Sequence, residues 1–495
     1  VADDHQPPQP TGVSPIVPLI AELAGELARA GIRYCHWKST AALDRSVSGE
    51  NDLDLLVDRS DVGGFLACIH RLGFRAARPV PSRQVPGLLD FYGFDRPTRR
   101  VVHLQLHTQL VLGDDLTKNY RLPIEAPYLD DLDRTGVLPV PRPELEYLVL
   151  VLRLTLKHCP WDAQLARKGR ATATERAELC HLERRLDPEV LGARLRQLLP
   201  FVEPALFERC REAVRPGSGP VQRAVAAAGL HRALAAHGRR SPSVDTLVKA
   251  RRRLLAAVAR RAGGLPAKRA PDTGGLVVAV VGGDGSGKSS TVDAVVAHLG
   301  PHLAVHRSHL GKPPRSLATR TLRRALRRWR SRGRLSELDL RPWEHPVRFP
   351  GYWFLAWHLA IGRDRQKEHR RIRRRAGRGA IVVCDRWPLL GIRTMDVPRT
   401  SSLPGAGRRP LARMLARWER RCYAQILPPD VLIVLRVPPE VACRRRADQD
   451  PGFVARRAEE IWSHPWGPSG AVVLDASRPL DEVVDDALSA LWAHL

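Results

Sequence analysis

The sequence predicts an α/β protein, with a doubly wound parallel sheet in its C-terminal part preceded by an α+β domain and a helical connector. Three observations predict it. Short apolar runs alternate with helical stretches after residue 276, strand-like and helical patterns mix before residue 159, and the residues between carry almost no strand signal. At 495 residues the chain exceeds a single hydrophobic core, which stops growing at roughly 250–300 residues. With 43% hydrophobic and 27% charged residues the composition is that of a folded, multi-domain protein and not of a disordered one.

Residues 1–14 read as a disordered tail, lacking both the basic and the apolar region of a signal peptide. Residues 15–159 form the α+β domain, in which Asp52–Val57 and Val101–Leu112 are strand-like runs. Residues 160–261 form the connector, where Leu, Ala and Arg recur at helical spacing through 173–186, 191–199, 221–236 and 244–261. Residues 262–275 are rich in Gly and Pro and read as a linker. From 276 to 495 the apolar runs 276–281, 304–308, 381–384, 431–435 and 472–474 have the unbroken character of strands buried on both faces, and 480–495 is an amphipathic closing helix. The apolar stretch 352–361 is a buried helix, well short of the ~20 residues that span a bilayer.

The net charge of +28 is mostly arginine and draws anions, although a general arginine bias in composition explains it equally well. The basic run Arg320–Arg334, with Leu322, Leu326 and Trp329 on one face, reads as a solvated helical face or a mobile lid insertion. No aromatic platform for single strands accompanies it, so nucleic acid is not an expected partner; a peripheral membrane contact and a homodimer are left open. The eight cysteines are scattered without a CxxC pair, which excludes a zinc or dithiol motif and fits a reducing cytoplasm.

Chemistry concentrates first at Leu276-Val-Val-Ala-Val-Val281, followed by Gly282-Gly-Asp-Gly-Ser-Gly-Lys-Ser289. This satisfies G-x-x-x-x-G-K-[ST] between a strand and a helix, the P-loop context. Gly282, Gly283, Gly285, Ser286 and Gly287 let backbone N–H groups curl around the phosphates of ATP, with Ser290 continuing the helix start. Lys288 reaches the β- and γ-phosphates and Ser289 ligates Mg²⁺. Asp385 ends a buried strand beside this loop and is placed to organise Mg²⁺ or its waters, with Arg386 directed at an acceptor phosphate.

The loop with its internal Asp284, the Asp385-Arg386 strand end, the Pro438-Pro-Glu440 junction, the arginine-rich 444–446 and the final Asp475-Ala-Ser477 together resemble the thymidylate kinase family. The resemblance covers about the last 220 residues and implies a phosphotransferase. It places Asp284 on the acceptor sugar, Arg386 on its phosphate, Arg445 on the transferring phosphoryl group and Asp475 near adenine. Arg365, with Arg363 as the alternative, corresponds to the acceptor-binding arginine. After Arg386 the sequence runs Trp387-Pro-Leu-Leu and lacks the family's Tyr-Gln pair, so the acceptor is left as a nucleoside monophosphate or a phosphorylated sugar.

A second constellation lies at Lys38-Ser39 and Asp52-Leu-Asp54. Alternation on a strand sends Asp52 and Asp54 to one side, where paired carboxylates hold a divalent metal. This resembles the minimal nucleotidyltransferase domain, with Lys38 standing where that family has glycine. His103, Gln105 and His107 share one face of a later strand, as substitutes for a third metal ligand or as satisfied polar residues of a domain that has lost catalysis. Lys118 and Arg121 are further candidates for phosphate contact. The leading expectation is a kinase joined to a nucleotidyltransferase-like domain; the alternatives are a nucleotidyltransferase served by the P-loop domain and a non-catalytic nucleotide switch.

Overall fold

The computed structural model describes residues 15–79, 84–166, 169–261, 268–332, 351–389, 391–392, 395–400 and 409–495. The expected tail, residues 262–267 of the expected linker and the last two residues of the basic run lie outside them. The chain divides into two compact units, Val1–Arg269 and Ala270–Leu495.

In the first unit the strands lie side by side in the order Tyr34–His36, Leu53–Val57, Arg100–His107, Leu88–Asp95 and Arg75–Arg78. The pairing of Leu53–Val57 with Arg100–His107 is parallel and the others are antiparallel. Because side chains alternate across a sheet, Leu53, Leu55, Val102, Leu104 and Leu106 fall on one face and pack with residues of helices Pro18–Arg29 and Val62–Arg71. The opposite face carries Asp54, Asp90, His103, Gln105 and His107, all buried. Leu110–Leu112, expected to prolong the Val101 strand, instead pairs with Tyr120–Leu122. The chain bends after His107, where Thr108 N–H donates to the Gly87 carbonyl at 2.8 Å.

Helices Pro143–His158, Ala173–Glu183, Pro188–Leu198, Pro204–Val214 and Pro220–Ala233 belong to this same unit. Their starts are set locally. Thr172 and Glu175 form a reciprocal capping box, Asp187 caps the next helix, and prolines occupy the first turn of four of the helices. Their leucines share one core with Cys35, Trp37 and Leu56 of the sheet.

The second unit is built on a wholly parallel sheet ordered Val305–His309, Ile381–Asp385, Leu276–Gly282, Val431–Arg436, Val472–Asp475. Every residue of the central strand Leu276–Gly282 is buried, as its unbroken apolar sequence requires. Val277, Ala279 and Val281 pack with Ile372 and Ala376 of helix Tyr352–Ala376. Helices Lys288–Leu299 and Leu480–Ala493 pack on each other, and the former also contacts the central strand. Strand order reverses on either side of Leu276–Gly282, so a crevice opens at its carboxyl end. Among the described residues no helix is long and apolar enough to cross a membrane.

Candidate functional site

The glycine-rich loop leaves the central strand at Gly282 and enters the helix at Lys288. Gly285 (φ 80°) and Gly287 (φ 81°) are left-handed, a conformation that costs other residues about 1–2 kcal/mol. A Cβ on Gly285 would lie 2.8 Å from the Ala442 carbonyl oxygen, and one on Gly282 would lie 2.7 Å from that of Leu435. Glycine is therefore required by close packing as well as by torsion. Lys288 folds back and donates to the Gly283 carbonyl, and burial lowers its ammonium to about 8, with Arg386 contributing in the same direction.

Ser289 Oγ donates to Asp385 Oδ2 at 2.6 Å, while Oδ1 of this buried carboxylate has no hydrogen-bond partner. An orphaned, buried carboxylate oxygen beside a hydroxyl suits a hard divalent cation, which takes oxygen ligands. Arg386 follows at φ 67°, a left-handed conformation rare outside glycine, and its N–H donates to the Val280 carbonyl at 3.0 Å. That turn bends the chain out of the strand and lets Arg386 reach back: its Nη2 donates to Asp284 Oδ1 at 3.2 Å. Arg457 Nη1 donates to the other oxygen of Asp284 at 2.7 Å. Burial opposes ionisation of Asp284, but Arg457, Lys288 and Arg386 outweigh it and hold the carboxyl below its ordinary range.

Of the other candidate arginines, Arg365 and Arg445 are engaged by the protein. Arg365, buried, donates to the carbonyls of Leu310 and Gly311 at 3.0 Å each and of Asp396 at 3.1 Å, and also to the Asp396 carboxylate and the Tyr423 hydroxyl. Its geometry is that of a brace for three segments. Arg363 lines an open groove with Trp418 and Arg421. Arg445 donates to the Ala476 carbonyl at 2.7 Å, to Ser477 at 3.2 Å and to Gly285 at 3.4 Å, tying the glycine-rich loop to the loop after the last strand. There Asp475 accepts from Ser477 N–H and Oγ, and these bonds hold its carboxyl below its ordinary range.

In the first unit the two acids and the histidines do meet. Asp54 Oδ1 accepts from Lys38 Nζ at 2.6 Å and lies 3.2 Å from His107 Nε2. Burial opposes its ionisation, but Lys38 and His107 hold it well below the carboxylate range. His103 sits between Asp52 (2.7 Å) and Asp90 (2.9 Å); burial works against its protonation, yet the two carboxylates raise its pKa overall. Arg269 completes the set at 3.1 Å from Asp90. Among the described residues no group of three or more His, Cys, Asp and Glu is arranged to hold a metal. Arg121 pairs with Glu125 at 2.9 Å, and burial lowers the Lys118 ammonium to about 8.

The turn before these acids has a left-handed Ser39 (φ 59°), which turns backbone donors toward the helices. Ser39 N–H donates to Glu178 Oε1 at 3.1 Å and Thr40 N–H to Glu146 Oε1 at 2.8 Å. The donors that a phosphate would use thus face two buried carboxylates of the chain itself. Glu146, Glu178, Asp90 and Arg457 are the partners that sequence reasoning missed. Only Asp90 left a signal, a lone acid in the apolar run Leu88-Leu-Asp-Phe-Tyr92 opposite Gln105.

Over 220 residues, 43% of this chain and 86% of the relative, the chain is 26% identical to a protein of Escherichia coli K12 described as the uncharacterized ATP-binding protein YghR. The same values hold for its namesake in Escherichia coli O6:H1. No protein-family model matches the chain.

Proposed function

We propose that the second unit is an ATP- and Mg²⁺-dependent phosphotransferase of the thymidylate kinase type, acting on a phosphorylated small molecule. The observation that carries this reading is the loop with Gly285 and Gly287 left-handed, Lys288 at the helix start and Ser289 2.6 Å from Asp385. The likeness to a protein described as ATP-binding points the same way. Ser289 and Asp385 would hold Mg²⁺, which supplies charge neutralisation on the phosphates when bound. Lys288 turns from the Gly283 carbonyl to the β- and γ-phosphates, and the loop's N–H groups hold the ATP oxygens.

Arg386, steered by Asp284, offers a guanidinium fork to the acceptor's phosphate. An acceptor oxygen then forms a bond to the γ-phosphorus as the bond to the β–γ bridging oxygen breaks, leaving ADP. A nucleoside monophosphate or a sugar phosphate meets this chemistry. The first unit we read as a nucleotidyltransferase-like module whose acids are neutralised by Lys38, His103 and His107 and whose turn is filled by Glu146 and Glu178.

The test is acceptor-dependent ADP formation across nucleoside monophosphates and sugar phosphates. With the acceptor found, Lys288→Ala is expected to abolish turnover with an unchanged circular dichroism spectrum. Arg386→Ala is expected to lower kcat/KM for the acceptor on the order of 10²-fold while ATP affinity is kept. Unchanged turnover in Lys288→Ala sinks the kinase reading, and pyrophosphate release in place of ADP transfers the activity to the first unit.

A further inference from the structure

The first unit contains a second anion-attracting feature, made of residues outside both constellations. Between the end of helix Pro143–His158, the start of Ala173–Glu183, the end of Pro204–Val214 and the start of Pro220–Ala233 lies a cavity of about 450 Å³. Arg170, Arg176, Arg215 and Arg223 line it together with His158 and Ser218, and no carboxylate does. Such a volume lies within the range of ligand sites, roughly 300–1,000 Å³.

The charges on its wall are only partly answered by the protein. Arg215 is paired with Glu183 at 2.9 Å, but among the described residues Arg170, Arg176 and Arg223 have no carboxylate partner. Arg176 donates one N–H to the Ala171 carbonyl at 2.6 Å, and Arg223 donates to that of Gly169 while its buried Nε has no partner. Each guanidinium keeps donors to spare, since it carries five. Glu175, next to the lining Arg176, is engaged by Lys157 at 3.1 Å and His158 at 3.0 Å. Helix Pro220–Ala233 begins at this wall with no side-chain cap, adding the positive end of its dipole.

Three like charges gathered around one hollow repel each other unless an anion enters. We propose that this cavity binds a compact polyanion, a phosphate monoester or a diphosphate, as a site separate from the glycine-rich loop. Guanidinium forks suit tetrahedral oxyanions, and the absence of lining carboxylates suits a ligand of charge −2 or more.

The experiment is calorimetric titration of inorganic pyrophosphate into the full chain carrying Lys288→Ala, which weakens the glycine-rich loop. One saturable site is expected, with affinity falling tenfold or more when Arg170→Ala and Arg176→Ala are added. Both arginines are exposed, so the variant keeps its fold, checked by its melting curve. Arg184→Ala with Arg209→Ala, the same charge change elsewhere, is expected to leave binding unchanged; an equal loss in both pairs, or no binding at all, overturns the site. Flotation with phosphatidic acid vesicles separates a soluble ligand from a lipid headgroup. Pyrophosphate binding without Arg176-dependent flotation supports the proposal, and Arg176-dependent flotation without pyrophosphate binding overturns it.

Discussion

Glu146 is a carboxyl with almost no water around it, and its energetics can be followed through pH. Burial, and more weakly the neighbouring Glu178, push it up to about 7 even though Thr40 N–H stabilises the anion. In the unfolded chain it titrates near 4.5. Below that value the acid is neutral in both states and folding carries no ionisation cost. Between about 4.5 and 7 the unfolded chain gives up the proton first, so stability falls as pH rises, and above 7 the loss is complete. Glu146→Gln stays neutral throughout and keeps an acceptor for Thr40. It is expected to be more stable than the parent by about 2–3 kcal/mol at pH 8, with the gap closing towards pH 4.5. Denaturation curves at the two pH values decide it, and equal stability at pH 8 refutes the assignment.

At the scale of elements, the parallel strands were legible because burial on both faces leaves an unbroken apolar run. The runs at 276–281, 381–384 and 431–435 differ from the observed strands by a residue. Gly282 to Ser289 was legible for a related reason: left-handed torsion and close backbone contact admit only glycine, so spacing records geometry. Glu146 and Glu178 left no such record. They lie 106 and 139 residues from the turn they cap, on helices whose pattern reports only apolar faces. Nor does sequence separate the two states of Arg365, since a guanidinium that braces three segments and one that meets a ligand have the same spelling.

Gly275 shows composition hiding a packing constraint. It falls at the end of the stretch 262–275 that reads as a linker, yet a Cβ there would lie 2.0 Å from the Ala376 carbonyl oxygen and 2.6 Å from that of Ala380. Backbone oxygens cannot swing aside as side chains do. Gly275→Ala is therefore expected to destabilise the second unit by roughly 3 kcal/mol or more, read from its denaturant midpoint. A change under ~0.5 kcal/mol would mean that the strand does not start against the end of helix Tyr352–Ala376.

At the scale of the molecule, the proposed ATP site lies in the second unit and the nucleotidyltransferase-like constellation in the first, and binding linkage can tell them apart. A ligand at 100 times its Kd stabilises what it binds by about 2.7 kcal/mol. With ATP and Mg²⁺, hydrogen exchange is expected to slow in Leu276–Gly282 and Lys288–Leu299 and to stay unchanged in Leu53–Val57 and Arg100–His107. Protection confined to the latter pair would hand the nucleotide site to the first unit.

The capped turn at Ser39 and Thr40 has one more consequence. A carboxylate carried on the same chain competes for those N–H donors as a tethered ligand, present at an effective concentration on the order of millimolar or above. On the proposed nucleotidyltransferase-like reading, a dissolved triphosphate would have to exceed that local concentration to take the same donors. Glu178 and Glu146 would then act on the turn as a built-in competitive inhibitor, whose strength is independent of how much protein is present.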